Sequence, residues 1–486
     1  VFTMPSIAWP PTGNNTDDIA YFFTAADNVT NCAVDGVTFT CFKSSVFQEL
    51  SFSTDVSLSR CDLLANNTGA AGTVVLTKGL LALRDCRFIG SPSMVNFSGS
   101  STGTNVIEDC LFAYSYHGNN GMIRNTATTR LDIRRTTFTH YRDYSWSSHH
   151  AAVLDYNNGS GTVEDCVFAN HRCSTSSTGP VRIGQAGTAP LVEFIRCTFT
   201  NNVHDTGDNQ SSHAACVRII NLSSCTFRDC RFAGNTTTVS TTEARYLASA
   251  VMVDAGYAQF INTTFEDNVV DAPAATTASS LACVRTTGTS SSAAFVNCAF
   301  RNNGTFVAIN TPHADIGSYG TGTLGVFNTI FDAGGVISYL AIRENSSVPT
   351  MVASCVIDGP EPQFAAGGIY TNVWYGKAPL HDRLAEKDGY PAQLMVASSS
   401  PYARRGTPVW AAPNANLYRY YWYDAATDPA KPWRRTLVKS ETAASVPGLS
   451  LASVPVPDAF GQIRRIRRTP IGPVNPEDSG TLLLLR

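Results

Sequence analysis

The sequence predicts an all-β fold in which a parallel β-helix of about 11 or more rungs makes up most of the chain. Three observations support this prediction. A motif of the form apolar-x-x-Cys-x-Phe recurs along the chain, and a second β-branched segment recurs between its copies. Only 15% of the residues are charged, while Ser, Thr, Asn and Gly are abundant, a composition that suits strands and tight turns better than helices.

The first motif fixes one small residue in each copy, which we call the ladder position. Copies read LRDCRF at Leu83, VEDCVF at Val163 and FRDCRF at Phe227, and successive ladder positions are 24 to 35 residues apart. A fixed motif with a variable step indicates a constant strand with loops of changing length, as in a solenoid. The ladder position is occupied by Cys61, Cys86, Cys110, Thr136, Cys166, Cys197, Cys230, Thr263, Cys298, Thr329 and Cys355.

The second recurring segment predicts at least one more strand per rung. It reads MVNF at Met94, PVRI at Pro180, CVRI at Cys216 and CVRT at Cys283. Two or more short strands per repeat, separated by Gly, Asn, Ser and Thr, indicate a parallel β-helix rather than a helical repeat.

The ladder motif also predicts a corner and two side-chain columns. The apolar positions of the motif cannot all face one side of a straight strand, so the backbone must turn at the two polar residues before the ladder position. Asp85, Asp109 and similar Asx residues tolerate such turns. The Phe of each rung should stack on the next. Asn residues three positions after the Phe should mark the following turn with stacked amides: Asn66, Asn202, Asn235, Asn268 and Asn303.

These rungs resemble the right-handed parallel β-helix repeat family, whose Cys-x-Phe-x-x-Asn rungs are distantly like pectate-lyase-type folds. The resemblance covers about residues 55 to 360, and segments 398–408 and 457–477 resemble the end of such proteins, although Pro470-Ile471-Gly472-Pro473 matches loosely. It implies a right-handed helix. We therefore predict an N-terminal cap with the first strands at 1–54, the β-helix at 55–370, and an aromatic-rich C-terminal extension for capping or assembly at 371–486.

The cysteines are predicted to be mostly buried thiols. Stacked rungs lie about 4.8 Å apart, within the range of a disulfide, but stacked side chains point the same way and a bridge would be strained. Thr at three ladder positions fits a small core residue rather than a metal ligand. Cys32 and Cys41 flank one loop and are predicted to form a disulfide in the N-terminal cap.

The sequence also predicts which partners the protein has. A net charge of −3 gives no field that favours nucleic acid, and no apolar run of 18 residues would span a membrane. Neither a metal-ligand spacing nor a cofactor motif is found, so we predict no metal and no cofactor.

Eleven sequons, against roughly seven expected from composition, favour a secreted or extracellular-surface glycoprotein. They begin at Asn14, Asn28, Asn66, Asn96, Asn158, Asn209, Asn221, Asn235, Asn262, Asn303 and Asn345.

A histidine-rich region between residues 117 and 213 is the first candidate ligand face. Most of its histidines follow the Phe or precede the second strand, where loops of consecutive rungs would stack into one surface. The alternatives are a glycan-binding face, a catalytic site and a polar loop face with incidental histidines, which we favour. The candidate face consists of His140, His149, His150, His171, His204, Asp143 and Trp146.

A row of arginines is the second candidate. Arg124, Arg182, Arg218 and Arg285 occupy equivalent positions of the second strand, with gaps at Leu154 and Val253. An exposed row would bind an acidic polysaccharide, whereas a solvated face paired with nearby carboxylates is the alternative that we favour.

Catalysis is left open by the sequence, which leans against it. Glycoside hydrolysis needs two carboxylates across a groove, but Glu108, Asp109, Glu164 and Asp165 recur at the corner of the repeat, which indicates structure. The Asn-Thr-Asp, Asp-Asp, Gly-His-Gly and Arg-Ile-Lys set of pectin-hydrolysing β-helices is absent as a set, as is a calcium-and-arginine constellation of the pectate-lyase type.

The tail is the third candidate, as an assembly region. It contains aromatic residues and a free apolar end, and we predict that Trp422, Trp433, Leu482 and Leu484 take part in assembly. The sequence as a whole predicts a non-catalytic extracellular structural or adhesive glycoprotein, a subunit of a surface filament that self-associates or contacts other surface proteins. The alternatives are a polysaccharide-active enzyme, lyase or hydrolase, and a glycan-binding host-recognition protein.

Overall fold

The computed structural model describes most of the chain between residues 23 and 394 and three short strands beyond it. The residues outside the description are 1–22, 26–30, 41–45, 50–54, 65–74, 92–93, 100–101, 116–120, 143–152, 174–178, 186, 207–212, 241–242, 246, 274–276, 280, 289–290, 308–312, 320–323, 334–338, 345–349, 354, 359–368, 372, 376–383, 395–408, 412–417, 421–453 and 456–486.

The described strands form a parallel β-helix, as the sequence predicts. Three sheets, which we call A, B and C, run along its axis, and neighbouring strands of each sheet come from successive rungs and pair in parallel. A shorter sheet D joins five rungs between sheets C and A. Because each rung repeats the same order of strands, one position of the sequence motif becomes one column along the axis.

Sheets A and B each contain thirteen strands. Those of sheet A are Phe23–Ala25, Phe47–Glu49, Val75–Thr77, Val95–Phe97, Ile123–Asn125, Leu154–Tyr156, Val181–Ile183, His213–Ala214, Val217–Ile220, Leu247–Asp254, Ala282–Thr287, His313–Ser318 and Tyr339–Glu344. Those of sheet B are Asn31–Asp35, Asp55–Ser59, Leu81–Arg84, Thr104–Glu108, Arg130–Arg134, Ser160–Glu164, Leu191–Ile195, Ser224–Arg228, Tyr257–Ile261, Ser292–Val296, Leu324–Phe327, Thr350–Ala353 and Ile369–Thr371.

Sheet C also contains thirteen strands, and sheet D contains five. Those of sheet C are Thr38–Thr40, Asp62–Leu64, Arg87–Ile89, Leu111–Ala113, Thr137–Thr139, Val167–Ala169, Thr198–Thr200, Arg231–Ala233, Thr264–Glu266, Ala299–Arg301, Ile330–Asp332, Val356–Ile357 and Trp374–Tyr375. Those of sheet D are Arg172–Cys173, Val203–Asp205, Thr236–Thr238, Val269–Ala272 and Gly304–Val307. Glu243–Arg245 pairs with Thr277–Ser279, and Val409–Ala411, Tyr418–Tyr420 and Val454–Pro455 form a small antiparallel sheet.

The corner between sheets B and C has a left-handed backbone in successive rungs. The residue just before the ladder position has φ between +44° and +59°, a region that Asn and Asp enter at lower cost than most side chains. Arg occupies three of these positions, which the sequence motif alone does not explain. The residues are Arg60, Asp85, Asp109, Arg135, Asp165, Arg196, Asp229, Asn262, Asn297 and Asn328.

Aromatic and thiol columns fill the interior. Phe rings of sheet C stack from rung to rung, with centroids 4.6 Å apart for Phe199 and Phe232 and 4.5 Å apart for Phe265 and Phe300. A second set in sheet B, including Phe227, meets them edge-on, so dispersion contacts run both along and across the axis. The eight ladder cysteines are free thiols with at most 4% exposure: Cys61, Cys86, Cys110, Cys166, Cys197, Cys230, Cys298 and Cys355.

The described helix is longer than the 55–370 segment assigned to it. Its first strand begins at Phe23, inside the region expected to hold a cap and first strands, and its last ends at Tyr375. The described residues contain no helix of the length and apolarity that a membrane crossing needs. Cys32 is a free thiol and Cys41 lies outside the described residues, so the structure does not show the predicted Cys32–Cys41 disulfide.

Candidate functional site

The arginine row lies on the outer side of sheet A. Register pairs Arg124 with Asp155, Asp155 with Arg182, and Arg182 with Arg218, and the row continues through Met252 and Arg285. The two gaps are therefore Asp155 and Met252 rather than Leu154 and Val253. This shift by one residue decides which side of the sheet the two residues face. Leu154 and Val253 face inward, and because adjacent strand residues face opposite sides, Asp155 and Met252 face outward with the arginines.

The row is largely buried, which corrects the idea of an exposed Arg stripe. Arg182 and Arg285 are 5% and 1% exposed, and Asp155 is fully buried. Arg182 donates to Asp155 from Nε and Nη2 at 2.7 Å each, and Nη2 also reaches Asn157 Oδ1. Arg218 pairs with Asp254 at 2.9 Å. A polymer on this side would meet few of these guanidinium groups directly.

Aromatic and sulfur contacts hold the later part of the row. Arg285 Nη1 donates to the sulfur of Met252 at 3.5 Å, and its guanidinium lies 4.9 Å from the ring centroid of Tyr319. Arg343 approaches the same ring at 5.9 Å. Tyr319 therefore lies against Arg285 of the row and against Arg343, an arrangement that stabilises desolvated guanidinium groups.

The histidines that the structure describes do not converge on one face. His171 and His204 are 1% and 0% exposed, so both are interior residues and not parts of a loop surface. His171 lies three residues after Phe168, the position that holds stacked Asn side chains in later rungs, and its Nδ1 accepts a hydrogen bond from the Tyr141 amide. Burial lowers the pKa of His171 to about 3. His204 lies in sheet D between Cys173 and Thr237.

The remaining members of the predicted face are split between the surface and undescribed segments. His140 is exposed at a left-handed corner and stacks on Tyr114, with ring centroids 4.8 Å apart. The members that lie outside the described residues are His149, His150, Asp143 and Trp146. The tail residues predicted for assembly also lie outside them: Trp422, Trp433, Leu482 and Leu484.

Three of the predicted glycosylation sites are interior residues. Asn235 and Asn303 belong to the inward column of stacked amides, and Asn262 belongs to the corner column, with 0%, 0% and 1% exposure. The Nδ2 atom of each residue donates a hydrogen bond inside its column, and a glycan on that atom would break the bond. We therefore no longer expect glycosylation at these three sequons. Asn96, Asn158 and Asn221 are half-buried. The others lie outside the described residues: Asn14, Asn28, Asn66, Asn209 and Asn345.

The corner carboxylates join neighbouring rungs. Arg135 donates from Nε to Asp109 Oδ1 at 2.7 Å and also binds Glu108. Arg196, at the same corner two rungs further along, makes the same contacts, with Asp165 at 2.6 Å and Glu164 at 2.5 Å. Hydrogen bonds from Arg135 lower the pKa of Asp109. The Glu-Asp pairs that recur in the motif therefore hold arginines and do not face each other across a groove.

Glu266 forms a second bridge on the outer side of sheet C. It binds Arg231 of the preceding rung at 3.0 Å and Arg301 of the following rung. Burial alone would raise the pKa of Glu266, but hydrogen bonds from Arg301 and Arg231 outweigh it, and the pKa is lowered. This carboxylate is held ionised between two guanidinium groups, which suits a clamp and not a proton donor.

A hairpin that the sequence did not predict lies on sheet C. Ala385 and Gln393 exchange backbone hydrogen bonds of 2.8 and 3.0 Å. Gln393 is fully buried; its Nε2 donates to the carbonyls of Asp229 and Cys230, and its Oε1 accepts from Thr264 at 2.6 Å. Leu394 packs on the outward residues Ala299 and Ile330. Long-range contacts hold this segment on sheet C, so no local pattern signals its position there.

The hairpin tip and the corner column line an open cleft of about 400 Å³. Tyr390 lies over the Arg196 guanidinium at 5.5 Å, and Lys387 lies 4.5 Å from the same ring. The other lining residues include Arg135, Asp165 and Thr198. The cleft thus combines one aromatic ring with planar charged groups that already hydrogen-bond to each other.

The described residues contain no group of three or more His, Cys, Asp or Glu side chains that would hold a metal ion. No family model, curated protein or solved structure matches this chain. The functional argument therefore rests on the geometry of the helix itself.

Proposed function

We propose that this chain is a non-catalytic structural or adhesive glycoprotein of an extracellular surface and serves as a subunit of a filament or appendage. One observation carries the proposal: several acidic residues of the repeat join neighbouring rungs by pairing with arginines. Asp109 and Asp165 each bind an arginine of the following rung, and Glu266 spans two rungs. A glycosidase instead needs one carboxylate protonated and a second one opposite it.

Membership in the right-handed β-helix repeat family is part of the same proposal. The stacked Phe rings, the buried ladder thiols and the column from Asn202 to Asn303 support it, because they are the side chains that define such rungs. Fold alone is a weak guide to activity, since β-helices serve many purposes.

Native material tests the function directly. Electron microscopy beside intact-mass measurement should show filaments or ordered arrays that carry glycan mass. In parallel, the protein should leave acidic and neutral polysaccharides unshortened after long incubation. Shortened or unsaturated products that increase with protein concentration would overturn the non-catalytic proposal, and Asp165→Asn would then show whether the corner contributes to the reaction.

Glycan binding at the hairpin cleft is a second candidate. The observation that favours it is Tyr390 beside Asp165, Arg135 and Arg196, since sugar sites combine an aromatic surface with a few fixed polar groups. Calorimetric titration with uronate and neutral oligosaccharides should show binding that Tyr390→Ala abolishes and that Tyr114→Ala, an exposed tyrosine on the flank, leaves intact. Equal binding by both variants would exclude the cleft.

A further inference from the structure

The turn that leads from sheet A to sheet B after Tyr156 contains an Asn-Gly pair in a reactive arrangement. Asn158 and Gly159 are both half-buried, so water reaches them. The Gly159 nitrogen donates a hydrogen bond to Asn158 Oδ1 at 2.9 Å, which means that the side chain of Asn158 folds over the amide that follows it. A nucleophile that is already held beside its target loses little further freedom when it reacts. The Gly159 nitrogen therefore lies beside the carbonyl group that it would attack.

Packing fixes glycine at the second position of this pair. Gly159 has a φ of +76°, in the left-handed region that favours glycine. A Cβ at this position would lie 2.6 Å from the carbonyl oxygen of Thr129 and 2.9 Å from that of Ala127, both in the preceding rung. Any other residue would therefore have to move the backbone. The turn keeps a glycine nitrogen, which has no side chain beside it to hinder its attack.

A second Asn-Gly pair, Asn303-Gly304, has the opposite arrangement. Both residues are buried. The Gly304 nitrogen donates to the carbonyl of Asn268 at 3.0 Å and not to the side chain that precedes it. Asn303 Nδ2 donates to the Phe265 carbonyl at 3.2 Å and to Asp315 Oδ1 at 3.0 Å. Because other groups hold both the backbone nitrogen and the side-chain amide, this pair is an internal control for the first.

We infer that Asn158 is a site of spontaneous deamidation, at which the chain modifies itself. Hydroxide removes the proton from the Gly159 nitrogen, a bond forms between that nitrogen and Asn158 Cγ, and the bond from Cγ to Nδ2 breaks. The leaving nitrogen takes protons from solvent and departs as ammonia. Water then opens the succinimide ring at either of its two carbonyl carbons, which gives aspartate or isoaspartate. This chemistry does not depend on the proposed filament function.

The turn connects two rungs, so its modification changes how they pack. The backbone nitrogens of Asn157 and Asn158 donate to the carbonyl of Asn125 at 2.9 and 3.3 Å, and Asn125 Nδ2 donates to the Asn158 carbonyl at 3.3 Å. Asn157 Oδ1 also accepts from the buried Arg182. Isoaspartate lengthens the main chain by a methylene group, which displaces these donors and acceptors. Deamidation should therefore weaken the contact between these rungs.

Incubation of the folded full-length chain at mildly alkaline pH tests the inference. Mass spectrometry should find aspartate and isoaspartate at Asn158 forming at least about 10-fold faster than at Asn303, because only the first pair is arranged for attack. Only peptides without a glycan are counted, since enzymatic glycan removal also converts Asn to Asp. In the unfolded chain the two pairs should react at similar rates. Equal rates in the folded chain, or no conversion at Asn158, would overturn the inference.

An Asn158→Gln variant separates this reaction from general ageing. Glutamine would have to form a larger ring, so the variant should keep its thermal midpoint during the incubation, whereas the midpoint of the unmodified chain should fall as isoaspartate accumulates. Asn302→Gln is the matched control, because Asn302 is exposed and is not followed by glycine, and it should age like the unmodified chain. An equal fall in all three proteins would overturn the effect on the rungs. The comparison of folded and unfolded chain needs no variant, so it decides the site even if Asn158→Gln fails to fold.

Discussion

The side-chain amide of Asn235 donates a hydrogen bond to Oδ1 of Asn268, 2.8 Å away on the next rung. It also donates to the Phe199 carbonyl, and its own Oδ1 accepts from Asn202 at 3.0 Å. The column continues through Asn303, whose amide reaches Asp315. Each buried amide thus hydrogen-bonds to the amides of the neighbouring rungs, and the column fixes the axial register of the rungs.

Removing one amide from this column should destabilise the helix. Asn235→Ala leaves buried backbone and side-chain groups without their partner, so the free energy of unfolding should fall by about 2–4 kcal/mol. Denaturant titration measures the change. Asn31→Ala, at an exposed position of the first strand, serves as the control and should stay within about 0.5 kcal/mol. A small effect of Asn235→Ala would argue against the column as a register device.

Glycan mapping should separate the sequons by burial. Peptide-level mass spectrometry of the secreted chain should find Asn235, Asn262 and Asn303 unmodified, because their Nδ2 atoms donate inside the columns. Occupancy is expected only among the other eight sequons. A glycan at any of the three buried positions would contradict the packing described for that rung.

The pair of Asp155 and Arg182 should behave as a buried ion pair. Asp155→Ala removes the bidentate carboxylate from a guanidinium that is 5% exposed, and we expect a loss of about 3–5 kcal/mol. The double variant Asp155→Leu with Arg182→Met should lose much less, because no charge remains buried. A double-mutant cycle of Asp155→Leu, Arg182→Met and the double variant, followed by thermal unfolding, gives the coupling. Asp62→Ala at the exposed pair with Arg87 should leave the midpoint nearly unchanged.

His171 should make the helix sensitive to acid. Its pKa of about 3 in the folded state lies below the ordinary value of 6.5, so the unfolded chain binds the extra proton between these values. Above about pH 6.5 this proton does not affect the free energy of unfolding. As the pH decreases below that value the free energy of unfolding falls, by about 2 kcal/mol at pH 5. His171→Asn fits the amide column and should remove this slope. Unfolding at pH 7 and pH 5 tests it; equal slopes in both proteins would contradict it.

Gln393 should hold the hairpin on the helix. Gln393→Ala removes hydrogen bonds to Thr264, Asp229 and Cys230, and we expect faster amide exchange across 384–394 with the rungs unaffected. Hydrogen exchange followed by mass spectrometry resolves the segment. Glu386→Ala, at the exposed tip, is the control and should exchange like the unmodified chain. Unchanged exchange in Gln393→Ala would mean that Leu394 alone anchors the hairpin.

Periodic features of the fold could be predicted from the sequence. The ladder motif indicated the parallel β-helix, the Asx corner, the Phe stack and the inward Asn side chains, because each depends on a position that recurs once per rung. Prediction was weaker at Arg60, Arg135 and Arg196, where arginine occupies a left-handed corner and binds a carboxylate of the preceding rung. That partnership depends on which rungs are neighbours.

The sequence by itself determined the repeat and therefore the stacking of rungs, since a constant strand with one inward face has few other ways to bury Phe and Cys. Only the tertiary structure decided which polar residues face inward. His171, His204, Asn235 and Asn303 are interior because they fall on inward columns, and Asn262 is interior because it falls on the buried corner column. The arginine row is largely buried although its spacing suggests an open surface. The hairpin at 384–394 is likewise a tertiary result: it joins residues more than 100 positions apart, which no local pattern encodes.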